Sequence, residues 1–245
     1  MRPRNEDSLG RGRSGAPAAG HVFAVADGLG AYGGGDVASR MAIEALLGHA
    51  AEATDRAPRI LRSGFDRANA AVFDATLSGE HPARMQTTMS ALLLEPGEAH
   101  LAHVGDSRVY RMRDGDLELL TTDHTQVMEM LRLRMISPEQ AVDHPGRYAL
   151  TRSLGAELIL RTDVRQDTLQ DGDTFLLCSD GLWSKAGVED LRRCLEGDLE
   201  AACRELVSLA IDRGSDDNAS ALAVRVLNAG ESRAQKGRWR RLFLS

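Results

Sequence analysis

The stretch from residue 21 to residue 35, HVFAVADGLGAYGGG, restricts the possible folds of this chain more than any other. Residues 22–26 are apolar at successive positions and of strand length, which describes a strand covered on both faces. The run ends on Asp27, and glycines follow at 28, 30, 33, 34 and 35 before an apolar-periodic helix beginning near Asp36. A carboxylate at the tip of a buried strand, followed by residues that let backbone carbonyls approach a ligand closely, suits a hard cation. Two alternatives compete. A dinucleotide turn needs G-x-G-x-x-G opening directly into a helix; Gly28, Gly30 and Gly33 have that spacing, but two more glycines intervene, and the P-loop spelling G-x-x-x-x-G-K-[ST] is absent. The other alternative is a plain Gly-rich turn with Asp27 as a turn residue, and this stretch alone does not decide.

Apolar spacing predicts helices over residues 36–53 and 59–75. It predicts strands over 88–94 and 99–104 around the turn Pro96-Gly97, and over 108–113 and 117–120 around Asp114-Gly115-Asp116, the four reading as a meander. A helix over 124–134, a short one from Ser137, strands over 158–164 and 174–178, helices over 188–195 and 199–212 and a strand over 219–226 complete the pattern. Residues 11–20, rich in Gly, Ala and Pro, predict a mobile loop, and 81–86 a polar connection. Because strands and helices are grouped rather than alternating, an antiparallel α+β arrangement is favoured over a doubly wound parallel sheet. The apolar strands need cover on both faces, which two stacked sheets with helices outside both would supply.

The 245 residues, 42% hydrophobic, can bury a sizeable core. A net charge of -6 argues against a nucleic-acid partner. No apolar run nears the roughly 18 residues of a membrane span, and no signal-peptide pattern opens the chain, so a cytoplasmic protein is expected. Cys178, Cys194 and Cys203 are an odd number without metal-type spacing and read as buried free thiols.

Four acidic positions join Asp27 at strand ends or tight turns: Asp7 in RNED, Asp106 in HVGDSR, Asp180 in LLCSDGLW and Asp217 in GSDDN. Asp180-Gly181-Leu182 repeats the local grammar of Asp27-Gly28-Leu29. Each alone reads as a turn former or a helix cap. Together, on buried strands ending side by side, they form a cluster that cannot stay ionised without a compensating cation. Oxygen-only ligation selects Mg²⁺ or Mn²⁺, and a pair of such ions about 3.5–4 Å apart can share a water, lower its pKa and aim it at phosphorus.

The phrases Arg2-x-x-Asn5-Glu6-Asp7, Asp27-Gly28-Leu29-Gly30, Thr87-Thr88, Gly105-Asp106-Ser107-Arg108, Leu150-Thr151-Arg152-Ser153-Leu154-Gly155, Ser179-Asp180-Gly181-Leu182 and Asp217-Asn218 resemble, in order, the motifs of the PPM-type, protein phosphatase 2C-like, metal-dependent serine/threonine phosphatases. The likeness runs from Arg2 to about Val226. It implies an α+β fold, a four-layer αββα sandwich of two mainly antiparallel sheets flanked by helices. The domain would span residues 1–228, with a basic tail over 229–245. It also implies two Mn²⁺ or Mg²⁺ ions, with a third in bacterial members. In the implied site Asp27 bridges both metals and the Gly28 carbonyl binds one. Asp180 and Asp217 complete the other, Asp7 acts through metal-bound water, Asp106 with Asp180 forms the third-metal site, and Arg2 holds the substrate phosphate. A hydroxide bridging the metals would attack phosphorus in line with the serine or threonine oxygen, without a covalent enzyme intermediate.

Partners implied are phosphorylated proteins, among them a serine/threonine kinase and its substrates, met by a monomer. Alternatives are a pseudophosphatase binding module and a phosphatase of an anti-sigma antagonist. The sequence departs from eukaryotic relatives at Leu29, where they carry a histidine thought to protonate the leaving group, so the proton donor is open. His124 and His144 lie in the implied flap, residues 123–155, and read as structural. Relatives also usually have a strand ahead of the first motif. The tail, with Arg233, Lys236, Arg238, Trp239, Arg240 and Arg241, reads as a solvated terminus or a surface-binding segment.

Overall fold

The computed structural model describes residues 4–16, 20–29, 33–78 and 84–231; Arg2 and the tail from residue 232 onward lie outside the described residues. The chain forms β1 (Asp7–Arg13), β2 (His21–Leu29), α1 (Gly35–Glu52), α2 (Ala57–Leu77), β3 (Gln86–Thr87), β4 (Met89–Glu95), β5 (Glu98–Val104), β6 (Arg108–Arg113) and β7 (Asp116–Leu119). Next come α3 (Gln126–Arg132), α4 (Pro138–Val142) and a 3-10 turn (Pro145–Tyr148). They are followed by β8 (Asp163–Thr168), β9 (Thr174–Cys178), α5 (Asp180–Trp183), α6 (Val188–Leu195), α7 (Leu199–Asp212) and β10 (Ala221–Arg225). One sheet has the order β1-β2-β4-β5-β8, with β3 paired to the end of β2; the other has the order β10-β9-β6-β7. Every pairing is antiparallel.

Residue alternation along the buried strands creates four layers. Val22, Ala24 and Ala26 of β2, with Met89, Ala91 and Leu93 of β4, pack against α1 and α2 through Leu46, Ile60 and Phe65. Val25, Leu92, Leu94 and Leu101 point the other way and meet Val109, Phe175 and Leu177 of the second sheet. Leu176 and Cys178, on the opposite face of β9, are covered by Leu182, Leu191 and Leu206 from α5 to α7. The long apolar runs in these strands thus reflect cover on both faces. Among the described residues, no helix is long and apolar enough to cross a membrane.

Several expectations are corrected. Residues 11–13 are not loop; they pair with residues 21–23 as the end of β1. The glycines there serve packing, since a Cβ on Gly10 would come 2.4 Å from Ile43 Cγ2 of α1. The meander is divided: β4 and β5 belong to one sheet, β6 and β7 to the other, and the chain crosses between them at residues 105–107. The strand expected over 158–164 lies at Asp163–Thr168 instead. Leu158 and Ile159 supplied the misleading apolar signal and are exposed, whereas this edge strand is mostly polar. Gln86–Thr87 also pairs as a strand, which carries β2 beyond Asp27 to Leu29.

Phe175 is 1% exposed between the sheets. We expect Phe175→Ala to cost about 3–5 kcal/mol in urea unfolding, whereas Leu227→Ala, at an exposed position, should stay within about 0.5 kcal/mol. Equal effects would contradict the two-sheet core.

Candidate functional site

The β1–β2 register sets Asp7 directly opposite Asp27, at the end of the sheet that faces β9 and the start of α5. Thr87 and Thr88 hold the backbone of Asp27. Its N–H donates to Thr88 Oγ1 at 3.0 Å, and its carbonyl accepts from Thr88 N at 2.8 Å and from Thr87 Oγ1 at 2.9 Å. Thr88 Oγ1 also shares a hydrogen bond with Ser107 Oγ, the neighbour of Asp106. Asp106 is fixed by Trp183, whose indole N–H donates to its carbonyl at 2.9 Å. Over that indole ring, 3.5 Å from its centroid, sits the Arg108 guanidinium, which forks onto Asp123 at 3.0 and 2.7 Å.

Asp180 opens α5, directly after buried β9. A Cβ on Gly181 would lie 2.2 Å from the Asn218 carbonyl, so only glycine lets the Asp217-Asn218 loop come this close. Asn218 Oδ1 accepts from Glu6 N at 2.9 Å, and Ser179 Oγ donates to Asp7 Oδ2 at 2.7 Å. These two bonds tie the start of the strand carrying Asp7 to the loop carrying Asp217 and to the segment carrying Asp180.

The result is a cavity of about 560 Å³ lined by Asp27, Gly28, Leu29, Asp106, Asp180, Asp216 and Asp217, with Tyr148, Leu150, Ser184 and Lys185 among its other walls. Burial pushes the Asp7 carboxyl up to about 6, opposed by hydrogen bonds from Ser179 and Ser220 and reinforced by Asp180 and Asp217. Asp27 is raised well above its ordinary range, first by burial and then by the charges of Asp7, Asp180, Asp106 and Asp217. Burial, with Asp180 and Asp123, pushes Asp106 up to about 8. Asp7 Oδ1 is buried with no hydrogen-bond partner among the described residues. Among those residues, no group of three or more His, Cys, Asp or Glu side chains is drawn in tightly enough to hold a metal ion; the carboxylates line a cavity rather than enclose a point. The all-oxygen donor set, its mutual repulsion and the orphaned Asp7 oxygen fit what hard divalent cations require.

Asp27, Gly28, Asp106, Asp180 and Asp217 are therefore brought to one cavity, and Asp7 stands outside its lining, opposite Asp27 on β1. Arg2, expected to bind phosphate, lies outside the described residues. His124 is structural, 3% exposed. Its backbone N–H donates to the Gly105 carbonyl at 2.7 Å and its Nδ1 accepts from Gly105 N at 3.1 Å. His144 Nδ1 accepts from Gly146 N in the 3-10 turn at 3.0 Å. Neither histidine lines the cavity. Sequence reasoning missed Asp216 and Lys185 as lining residues, whereas Tyr148 and Leu150 belong to the implied flap. Only the Asp216-Asp217 doublet and the rarity of lysine could have pointed to the two that were missed.

The family model described as Protein phosphatase 2C matches residues 3–218. This chain belongs to the protein phosphatase 2C family. Serine/threonine phosphatase stp of Listeria monocytogenes is 32% identical over 247 residues, covering 97% of this chain and 94% of that protein. Serine/threonine protein phosphatase PstP of Mycobacterium tuberculosis is 31% identical over 239 residues, 93% of this chain but 43% of PstP; the chain thus spans less than half of that relative. A crystal structure of the PstP catalytic domain in complex with 2 manganese ions superposes with a TM-score of 0.79 at 29% identity, covering 92% of this chain and 94% of that one. The αββα arrangement expected from the motifs is the one observed.

Carboxyls whose folded pKa is raised bind protons more tightly in the folded state than in the unfolded one. The stability they govern is greatest in acid and falls as pH rises from about 4 toward 8. We expect Asp106→Asn to raise the melting midpoint of the chelator-treated protein on the order of 5 °C at pH 8, a gain that vanishes by pH 4. Calorimetric scans across that range check it; a gain independent of pH would contradict the burial of Asp106 as a strained carboxylate.

Proposed function

We propose that this protein phosphatase 2C family member hydrolyses phosphoserine and phosphothreonine in proteins, reversing the action of a serine/threonine kinase, as a monomer in the cytoplasm. The observation that carries the reading is the convergence of Asp27, Asp106, Asp180 and Asp217, from four separate segments, on one acidic cavity, with Asp7 directly opposite Asp27 on the neighbouring strand. The names of the Listeria and Mycobacterium relatives support the same substrate class.

Asp7, Asp27, Asp180 and Asp217, with the Gly28 carbonyl, would hold two Mn²⁺ or Mg²⁺ ions, and Asp106 with Asp180 a third; the manganese complex of the PstP domain supports the pair. Bound there, divalent cations lower the pKa of water and offset charge on phosphoryl oxygens. Asp27 is positioned for the central role because Thr87 and Thr88 fix its backbone on both sides. Ser179 holds one Asp7 oxygen, which leaves Oδ1 buried without a hydrogen-bond partner among the described residues. No cysteine or histidine is among the described residues lining the cavity, and burial pushes the nearby Cys178 thiol up to about 12. A protein thiolate nucleophile is thus disfavoured, and direct attack by water on phosphorus is the step the residues suit. Arg2 is assigned the phosphate contact by its motif alone.

Hydrolysis of p-nitrophenyl phosphate and of a phosphothreonine peptide should require Mn²⁺ and stop on chelation. Asp180→Asn should reduce turnover by roughly 10–100-fold or more. Metal-independent turnover, unchanged activity in the variant, or inactivity of the folded, Mn²⁺-loaded protein would each overturn the proposal.

A further inference from the structure

Of the 30 lysines and arginines in the chain only two are lysines, and one of them, Lys185, stands at the acidic cavity. It is the one basic side chain among the described residues that line it. Lysines placed beside several carboxylates ordinarily close ion pairs, yet the Lys185 ammonium makes no ion pair or hydrogen bond with the described residues. Its backbone, by contrast, is held on both sides. The N–H donates to the Leu182 carbonyl at 3.1 Å. The carbonyl accepts from Arg213 Nη1 at 2.8 Å, and Arg213 is itself anchored by Asp190, with Nη2 3.2 Å from Oδ1. A fixed backbone carrying a half-buried lysine in the wall of an anionic cavity, its side chain without a partner among the described residues, is arranged to receive something that arrives.

The charge balance indicates what arrives. Five aspartates line the cavity and Asp7 stands opposite Asp27; two divalent cations carry four positive charges, fewer than the six carboxyl groups gathered there. A phosphate monoester dianion entering such a site still meets net negative potential, and a local cation on its path lowers that cost. Lysine, a compact point charge on a flexible stem, suits a phosphoryl group whose oxygens rotate, whereas a planar arginine fork this close would pair with the aspartates.

We propose that Lys185 is a substrate-binding residue whose ammonium receives non-bridging oxygens of the phosphoryl group at the mouth of the cavity. This rests on the phosphatase reading and deepens it by adding a phosphate contact on the wall that follows α5.

The test uses the Mn²⁺-loaded chain with Lys185→Met and Lys185→Arg, reading inorganic phosphate affinity by calorimetry, Mn²⁺ affinity by titration, and kcat and KM on a phosphothreonine peptide. Lys185→Met should weaken phosphate binding about 10–100-fold, the loss expected for a charge-assisted hydrogen bond, and raise KM in parallel. Lys185→Arg should recover only part of that loss, because its fork is drawn to the aspartates, and Mn²⁺ affinity should not fall in Lys185→Met. Phosphate affinity within about twofold of the parent protein in Lys185→Met, or a loss traced to weaker Mn²⁺ binding, would overturn the assignment. Lys185-dependent phosphate binding by a parent protein that turns over no phosphoester would uphold the contact while refuting the phosphatase reading.

Discussion

The interaction on which the rest depends is the repulsion among carboxylates held out of water between two sheets. Asp27 and Asp106 are each less than a tenth exposed, and the charge of Asp106 raises the proton affinity of Asp27. Desolvation alone disfavours their charged forms, and Asp7 and Asp180 add like charge at close quarters. An arrangement of this kind is unfavourable to stability in isolation. It persists because the surrounding scaffold over-determines it, and its chemical use lies in what it will bind to relieve the repulsion.

That scaffold works through short polar bridges set on apolar layers. Stacking of the sheets through Leu92, Leu101, Phe175 and Leu177 brings the ends of β2 and β9 together. Thr88 joins the Asp27 backbone to Ser107, and Trp183 joins α5 to the Asp106 carbonyl. Asn218 and Ser179 then fasten the first sheet to the second across the cavity. Each bridge satisfies a buried polar group as well as placing a carboxylate, so fold and site share the same bonds. The segment between β7 and β8 adds Tyr148 and Leu150 as a less polar wall, within reach of whatever surrounds a bound phosphoryl group.

Much of this was legible in the sequence because the residues that build it are chemically extreme. Apolar strands such as Thr174–Cys178 announce two-sided burial, and helices such as Leu199–Asp212 carry a clear period. The five aspartates stood out through repeated strand-Asp-Gly grammar and ordered motifs. What escaped was whatever depends on tertiary company. Nothing local separates the β4–β5 hairpin from the β6–β7 hairpin, although they join different sheets. The glycines of β1 look like loop residues until α1 is seen lying on them. Edge strand β8 hid behind its polar side chains, and Lys185 behind an arginine-rich background. Backbone pairing and close approach decide such features, and composition does not encode them.

If the raised proton affinities of Asp7, Asp27 and Asp106 arise from this confinement, divalent cations must displace protons to enter. Calorimetric titration with Mn²⁺ at pH 6.5 in buffers of differing ionisation enthalpy measures that displacement directly. At least about one proton released per chain, falling sharply in Asp27→Asn, is the predicted result. Mn²⁺ binding with no proton release, or release unchanged in that variant, would contradict the account.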